Sequence, residues 1–446
     1  MKKLFGTDGI RGVAGRAPLD EATVYAIGVA VARSVGGEAA RVLLGMDTRE
    51  SSEWIAGTLT AGLEAGGAAV ENAGVITTPA VAFLTQKHGF SAGAVISASH
   101  NPWQDNGIKL FGPDGYKLPD VTEATIEEEI FRQLENAPEG KRVSVAPAVN
   151  EEDRAEYITS LLAAVPGLSL DGRRVVIDCA NGAASAVAPQ LFAGLGGEVI
   201  VTHASPDGRN INEGCGALHA EVVARAVVEH KASVGITFDG DADRALFADE
   251  LGRVVNGDAV LLLAARDLKD RGLLAKDTVV ATTMSNMGLE AALKRSSIAM
   301  LRAPVGDKYV LEQMISTGAA LGGEQSGHII FSGRSTTGDG LLTALLLLDI
   351  LHRSGKTLAE LTEDLKVFPQ TIVNVKVRER KPLDGIPNVA AAIRAAELDL
   401  ADSGRVVVRY SGTEALARVM IEAESEDSMR LHAERIAEAI RQELGV

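Results

Sequence analysis

Four short stretches of the chain gather hydroxyls, carboxylates and cations at spacings that could do chemistry. In Ile96-Ser97-Ala98-Ser99-His100-Asn101-Pro102 an apolar run, Ala94-Val95-Ile96, stops at polar residues and a proline. Such a run reads as a buried strand that leaves the Ser99 hydroxyl at the mouth of a cleft. A lone serine there would read better as a turn cap. The reading changes with Asp239-Gly240-Asp241-Ala242-Asp243-Arg244, far downstream. Alternate residues of an extended loop share a face, so its three aspartates can converge and hold a hard cation through oxygen. Gly323-Glu324-Gln325-Ser326-Gly327-His328 offers a carboxylate, an amide, a hydroxyl and an imidazole to sugar hydroxyls. Arg409-Tyr410-Ser411-Gly412-Thr413 gathers a guanidinium, two hydroxyls and close backbone N–H groups, a set that suits a phosphate. A serine, an acidic metal loop and an anion loop together are the parts of a phosphoryl-transfer site.

Rival schemes meet specific obstacles. A calcium-binding EF-hand would place Glu250 at the twelfth position from Asp239, but Arg244 stands at the sixth, where that loop needs glycine. Ser233 to Phe238 is also strand-like rather than helical, so magnesium is the better cation. No G-x-G-x-x-G occurs, and Gly355-Lys356-Thr357 has Ile350 where a P-loop has its first glycine. Ser97 and Asn101 flank Ser99 where a hydrolase elbow has glycines, and in an extended chain His100 would face away from Ser99.

The elements that must position these loops follow a regular rhythm. Asp20 is placed to cap a helix ending near Gly36-Gly37, followed by a strand Arg41 to Met46 and a helix Ser52 to Ala65. A strand near Ala69 to Val75, a helix from Thr78 and the strand leading to Ser99 continue the alternation. Asp47-Thr48-Arg49 sits at one strand end, and Arg11 lies in the glycine-rich opening Phe5 to Gly12. The rhythm restarts with strand Arg174 to Asp178, helix Ala184 to Leu195, strand Glu198 to Thr202, helix Ala220 to Lys231 and strand Val234 to Phe238. It restarts again from Asp258. This alternation predicts three consecutive α/β units with mostly parallel sheets, whose strand-end loops carry the chemistry. From Thr371 the pattern becomes strand, helix, strand, strand, helix, a smaller α+β domain hinged near Phe368-Pro369.

Composition agrees with a multidomain globular chain. The 446 residues exceed one ordinary core, and 46% are hydrophobic against 23% charged. A net charge of -16 argues against a nucleic-acid partner, and it means that a phosphate site must concentrate its own arginines and lysines. Only Cys179 and Cys215 are present, with no C-x-x-C pair, as expected in a reducing cytoplasm and for a chain with no structural zinc. Lys2 and Lys3 meet Gly6-Thr7-Asp8 with no room for a signal peptide's apolar region. The most apolar run, Leu341 to Leu348, is closed by Asp349, far short of the ~20 residues of a membrane span, so a buried helix and no membrane partner are expected.

Over its whole length the chain resembles the α-D-phosphohexomutase family. The serine, metal, sugar and phosphate loops occur in the family's order, and Leu4 to Gly12 with Gln325 is similar to its glucosamine branch. Tyr410 stands where that family usually has lysine or proline, and Ala415 where it has proline. The resemblance implies four domains around a central cleft: 1–150 with the phosphoserine loop, 151–256 with the metal loop, 257–368 with the sugar loop, and 369–446, a mobile TATA-box-binding-protein-like domain holding phosphate. It implies Ser99 carried as phosphoserine, with one Mg2+ held by Ser99, Asp239, Asp241 and Asp243. Arg11, Lys109 and Arg244 would stabilise the transferring group, with His100 beside it and Lys109 or His328 as proton carrier. Glu324, Gln325, Ser326 and His328 would read the sugar, while Arg409, Ser411, Gly412, Thr413 and Arg418 hold the phosphate that is not reacting.

The reaction implied is interconversion of glucosamine 6-phosphate and glucosamine 1-phosphate through the 1,6-bisphosphate, supplying UDP-N-acetylglucosamine and cell-wall precursors. Glu324 could favour the ammonium of an amino sugar, or equally accept hydrogen bonds from ring hydroxyls. The alternatives are a sibling acting on glucose or mannose phosphates and a non-catalytic sugar-phosphate-binding protein; intact Ser99, aspartates and Lys109 argue against the latter. Members of the family can dimerise and can bind a diadenylate cyclase, so a homodimer and such a cyclase are the partners implied.

Overall fold

Three sheets in succession are built on one plan, in which parallel strands are followed by a strand that turns back beside the last of them. The computed structural model describes residues 4–135, 145–410 and 415–446. In the first sheet Ala69–Val75, Arg41–Met46 and Ala92–Ile96 run parallel, Asp105–Phe111 returns antiparallel to Ala92–Ile96, and Ile10–Val13 pairs antiparallel at its far side. The second repeats this order with Glu198–Thr202, Arg174–Asp178, Val234–Phe238, Ala245–Asp249 and Val254–Val255. The third has Ala299–Ala303, Thr278–Thr282 and Leu321–Gly323 parallel and Ile329–Phe331 antiparallel. The serine, acidic and sugar loops are the connections into the three returning strands. Each therefore stands at the carboxyl end of a parallel strand, where α/β sheets bind ligands.

The returning strands are not apparent in the sequence. Asp105-Asn106-Gly107 opens the first with polar and turn-forming residues, so its apolar half, Ile108 to Phe111, lacks the alternation that marks a strand. Proline accounts for a second difference. In place of one helix Ala184 to Leu195, a 3-10 turn Ala183–Ala186 precedes a short α-helix Ala188–Ala193. Pro189 lies in that helix's first turn, where its missing N–H breaks no bond; inside a continuous helix it would break one.

Other elements form where local chemistry directs. Asp20 accepts the Thr23 N–H at 3.1 Å and starts helix Glu21–Ser34. That helix packs against Ser52–Ala65 through glycines: a Cβ on Gly62 would lie 2.2 Å from the Tyr25 carbonyl oxygen. The two backbones touch at a distance no side chain allows. The Leu341 to Leu348 run forms the buried part of helix Gly340–Ser354, and among the described residues no helix is long and apolar enough to cross a membrane.

The chain divides into two compact units. One comprises Met1–Met284 with Ile298–Thr362 and contains the three sheets described above. The other comprises Ser285–Ser297 with Glu363–Val446. Its antiparallel sheet has Leu416–Ala423 between Gln370–Lys376 and Gly404–Tyr410, with Val419 and Ile421 in one core with Val389 of helix Pro387–Leu400 and Ile436 of helix Glu426–Leu444. Asn286 caps helix Met287–Arg295. Its side chain also clasps the Phe368 backbone, accepting the N–H at 2.9 Å and donating to the carbonyl at 3.0 Å. The fold is thus three α/β domains and a C-terminal α+β domain.

Candidate active site

Ser99 is 1% exposed and has a left-handed backbone, φ 54°. For a residue with a Cβ this conformation costs free energy and persists only where the surroundings hold it. Here they do. The Arg49 guanidinium donates to the carbonyls of Ser99 (2.9 Å), Asn101 (2.8 Å), Asp105 (2.9 Å) and Pro102. The Asn212 amide donates to Ser99 and Asn101 from the other side, at 2.9 and 3.1 Å. Asp47 holds Arg49 at 2.8 Å and accepts the Ser97 hydroxyl at 2.6 Å, and Ser97 in turn accepts the Ser99 N–H at 2.9 Å.

The backbone turn at Ser99 also corrects the expectation for His100. Because the chain is not extended there, the imidazole does not face away: its Nδ1 lies 3.2 Å from Ser99 Oγ. Burial, with the nearby Arg244 and Arg11 charges, pushes its pKa down to about 4. His100 is therefore a neutral imidazole at neutral pH.

The acidic loop lies against this turn. A Cβ on Gly240 would sit 2.4 Å from the Ser99 carbonyl oxygen, so only glycine permits the approach. The Ser99 hydroxyl donates to Asp239 at 2.5 Å. Burial, then the charges of Asp243 and Asp241, raise the Asp239 pKa well above the usual carboxylate range. Asp241 accepts the Thr78 N–H at its carbonyl, 3.0 Å, and the Thr78 hydroxyl at its carboxylate, 2.5 Å, where helix Thr78–Lys87 begins. The positive end of that helix favours the negative charge.

Lys109, 1% exposed, reaches Asp241 at 2.6 Å, Asp8 at 2.9 Å and Asp243 at 3.2 Å. Burial alone would deprotonate it, but these carboxylates outweigh burial and hold it firmly as ammonium. Buried Asp243 is likewise held well below its ordinary value, chiefly by Lys109. One ammonium leaves the triad incompletely served: Asp241 Oδ1 and Asp243 Oδ1 are buried without a hydrogen-bond partner. Oxygens of all three aspartates lie within 4.8 Å of one another. Convergent carboxylates with spare lone pairs fit a hard divalent cation.

A cleft of about 410 Å³ opens beside this group, lined among others by Arg11, His100, Asp243, Arg244, Glu324 and His328. Arg11 donates to the Ala98 carbonyl at 3.3 Å and pairs with Asp8. Arg244 is held as a cation against burial by Asp243 and Asp239. Glu324 accepts the Gly306 N–H at 3.0 Å and the Ser326 hydroxyl at 3.2 Å, which fixes its carboxylate at the cleft wall.

Two members of the cluster expected to read the sugar are bonded to other protein groups, His328 while also lining the cleft. The Gln325 amide donates to buried Asp258 at 3.1 Å. His328, 2% exposed, sits with Nδ1 3.7 Å from Asp243 and accepts the Gly338 N–H at Nε2, 3.1 Å. Burial opposes its charge and Asp243 overcomes burial, so its pKa is raised. The Gly338 contact requires a lone pair at Nε2 and places the ring proton on the Asp243 side.

In the second unit Arg409 and Arg418 stand directly opposite on neighbouring antiparallel strands. The Tyr410 hydroxyl donates to the Lys381 carbonyl at 2.6 Å. Ser411, Gly412, Thr413 and Glu414 lie outside the described residues.

Several site residues escaped the sequence reading. Asp8 bridges Lys109 and Lys117, and Lys117 also pairs with Asp307, which lines the cleft. Asp8 follows Gly6-Thr7 in the glycine-rich opening, which was the available signal. Lys117, Asp307 and Asn212 stand in no motif that marks them.

Known proteins match the chain throughout. Four successive segments match domains described as phosphoglucomutase/phosphomannomutase alpha/beta/alpha domain I (residues 2–137), II (155–252) and III (256–368) and the C-terminal domain (372–439). The chain is 61% identical to a phosphoglucosamine mutase of Koribacter versatilis over 454 residues, covering 100% of this chain and 98% of the relative. It is 54% identical to one of Solibacter usitatus over 448 residues, covering 100% and 99%. Among solved structures, a phosphoglucomutase/phosphomannomutase family protein of Burkholderia thailandensis superposes with TM-score 0.78 at 24% identity, covering 99% of each chain. N-acetylphosphoglucosamine mutase of Aspergillus fumigatus, solved with GlcNAc-6P and magnesium, superposes with TM-score 0.62 at 22% identity, covering 99% of this chain and 96% of that one. At these identities the two structures attest the fold.

Proposed function

The chain belongs to the phosphoglucomutase/phosphomannomutase family, and we propose that it interconverts glucosamine 6-phosphate and glucosamine 1-phosphate by phosphoryl transfer through Ser99. The observation that carries the reaction type is the meeting of the Ser99 hydroxyl, at 2.5 Å from Asp239, with an aspartate triad that has spare oxygens. The amino-sugar substrate rests on the full-length likeness to proteins named phosphoglucosamine mutase. The working division is into segments 1–150, 151–256, 257–368 and 369–446, contributing the serine, metal, sugar and phosphate loops.

In this reading Ser99 carries the phosphoryl group at rest. The free hydroxyl of the bound sugar phosphate attacks phosphorus, the P–Oγ bond to Ser99 breaks, and the hydroxyl gives up its proton. Glucosamine 1,6-bisphosphate results. After it turns over, Oγ takes back the other phosphoryl group and the isomeric monophosphate departs. Mg2+ held by Asp239, Asp241 and Asp243 would draw charge from the phosphoryl group and make the serine oxygen a better leaving group.

The chain's own residues supply the rest. Arg11 and Arg244 line the cleft as fixed cations where charge develops on the phosphoryl oxygens. Lys109 stays an ammonium among its carboxylates and so contributes charge; His100, neutral and 3.2 Å from Oγ, is assigned to exchange a hydrogen bond or proton with Oγ as its bond to phosphorus breaks and re-forms. His328 aligns Asp243 from behind, and Glu324 faces the sugar. Arg409 and Arg418, with Ser411, Gly412 and Thr413, are assigned the distal phosphate.

Comparing kcat/KM for glucosamine, glucose and mannose phosphates tests the substrate. The amino sugar should be preferred; a preference for glucose or mannose 1-phosphate would overturn the assignment and leave the transfer chemistry standing.

A further inference from the structure

A second group of metal-type side chains lies at the carboxyl ends of the neighbouring parallel strands Arg174–Asp178 and Glu198–Thr202. Asp178, His203 and Cys215 bring a carboxylate, an imidazole and a thiol so close that ligand atoms of all three lie within 4.8 Å of one another. Asp178 and Cys215 are fully buried, and His203, one-third exposed, closes the group on the solvent side. Asp178 is oriented by the Ala180 N–H at 2.9 Å on one oxygen and the Gly216 N–H at 3.0 Å on the other. Each carboxylate oxygen keeps a lone pair.

His203 Nδ1 approaches Asp178 Oδ1 to 3.2 Å, yet this buried nitrogen makes no aligned hydrogen bond. A nitrogen that is close to its neighbour but unaligned with it has a valence left for a third partner. Ala180, Asn181 and His203 all have left-handed backbones, at φ 54°, 49° and 46°, around the same spot.

We propose that Asp178, His203 and Cys215 form a second metal site, selective for a borderline-soft divalent cation of the Zn2+ class. The donor set decides the class: sulfur and imidazole nitrogen suit zinc, whereas the all-oxygen triad at Ser99 suits magnesium. Binding replaces the Cys215 S–H bond by a thiolate–metal bond and releases that proton to solvent. Three protein ligands leave the fourth tetrahedral position to water on the His203 side. The site adjoins the catalytic loop, because the Asn212 N–H bonds the Ala180 carbonyl at 2.9 Å while its side chain holds the Ser99 carbonyl. An ion there braces the segment that presents Ser99.

The test uses Co2+ as a coloured stand-in for zinc, titrated into the chelator-stripped full chain with magnesium in excess. A sulfur-to-cobalt charge-transfer band should grow to one ion per chain and be displaced by Zn2+. Oxygen ligands cannot produce this thiolate band, and Cys179 and Cys215 are the chain's only thiols. Cys215→Ser should abolish it and Cys179→Ser should keep it. His203→Ala should weaken cobalt binding about tenfold or more, since outer-shell losses alone reach that size. No band at saturating cobalt, or a band that survives Cys215→Ser, overturns the proposal. Should Cys215→Ser fail to fold, unchanged cobalt affinity in His203→Ala overturns it instead.

Discussion

Arg49 and Lys109 are both buried cations beside buried aspartates, and both serve Ser99, but their surroundings differ in what is left unbonded. Around Arg49 the accounts close: its guanidinium meets Asp47 and four backbone carbonyls, while Asp47 also takes the Arg49 N–H, Ser52 and Ser97. Around Lys109 one ammonium faces Asp8, Asp241 and Asp243, and two carboxylate oxygens stay without a hydrogen bond, although Arg244 approaches that of Asp243 to 3.7 Å. A satisfied buried ion pair fixes geometry, whereas an unsatisfied one is held in readiness for a ligand. Arg49 therefore belongs to the scaffold of the serine loop, and the Lys109 group is the one with oxygens free to take the proposed cation.

The largest effect expected is on the scaffold side. Arg49→Met leaves the Asp47 charge buried and uncompensated and removes the guanidinium bonds to four carbonyls, so stability should drop by about 3–5 kcal/mol in denaturant unfolding. Arg49→Lys should recover little, because an ammonium cannot span the fork's contacts. A stable Arg49→Met protein with normal turnover would dissolve the distinction between the two groups.

Asp239→Asn should behave in the opposite way. Magnesium affinity and activity should fall together by roughly a hundredfold, as expected when a charged metal ligand is removed. The metal-free protein, by contrast, should gain stability at neutral pH. Asp239 holds its proton to a higher pH in the folded than in the unfolded chain. Its contribution is therefore full below the ordinary carboxylate pKa and is lost as pH rises through the raised value, a fall that Asn removes. Thermal midpoints across pH, with and without magnesium, read this directly; equal pH slopes for the two proteins would contradict the assignment.

Arg409→Ala should have the smallest effect. Removing one of two facing cations should raise KM by roughly tenfold with kcat less affected, since a distal phosphate contact acts on binding more than on the reacting bond. An unchanged KM would remove Arg409 from the site.

The residues that converge at Ser99 were legible in the sequence where they stand in short motifs: Ser99 after its apolar strand, three alternating aspartates, and Lys109 shortly beyond Ser99. Their supporting residues were not, because the partners are remote. Lys117 meets Asp307 across 190 positions, and nothing local to either residue marks the pairing. Strand periodicity carried through Ser99 turns His100 away from it, whereas the left-handed φ of Ser99, which no pattern of residue types announces, turns the imidazole toward Oγ. The helices and parallel strands followed from periodicity and caps. The returning strands did not, since Asp105-Asn106-Gly107 reads as a turn until Ala92–Ile96 and Ile10–Val13 are there to pair with it. The Gln325 contact with Asp258 likewise depends on how the sugar loop seats on Gly257, whose N–H bonds the Gln325 carbonyl at 3.0 Å.

The claim that Ser99 carries the phosphoryl group is tested most directly by phosphopeptide mapping of the full chain after incubation with labelled glucosamine 1,6-bisphosphate. The label should reside on Ser99 alone and pass to glucosamine 1-phosphate when that sugar is added. Ser99→Ala should take up no label, and its turnover should fall by on the order of a thousandfold or more while its melting temperature stays close to that of the parent. Label on another residue that still discharges to the sugar, or a Ser99→Ala variant with substantial turnover, would contradict the account.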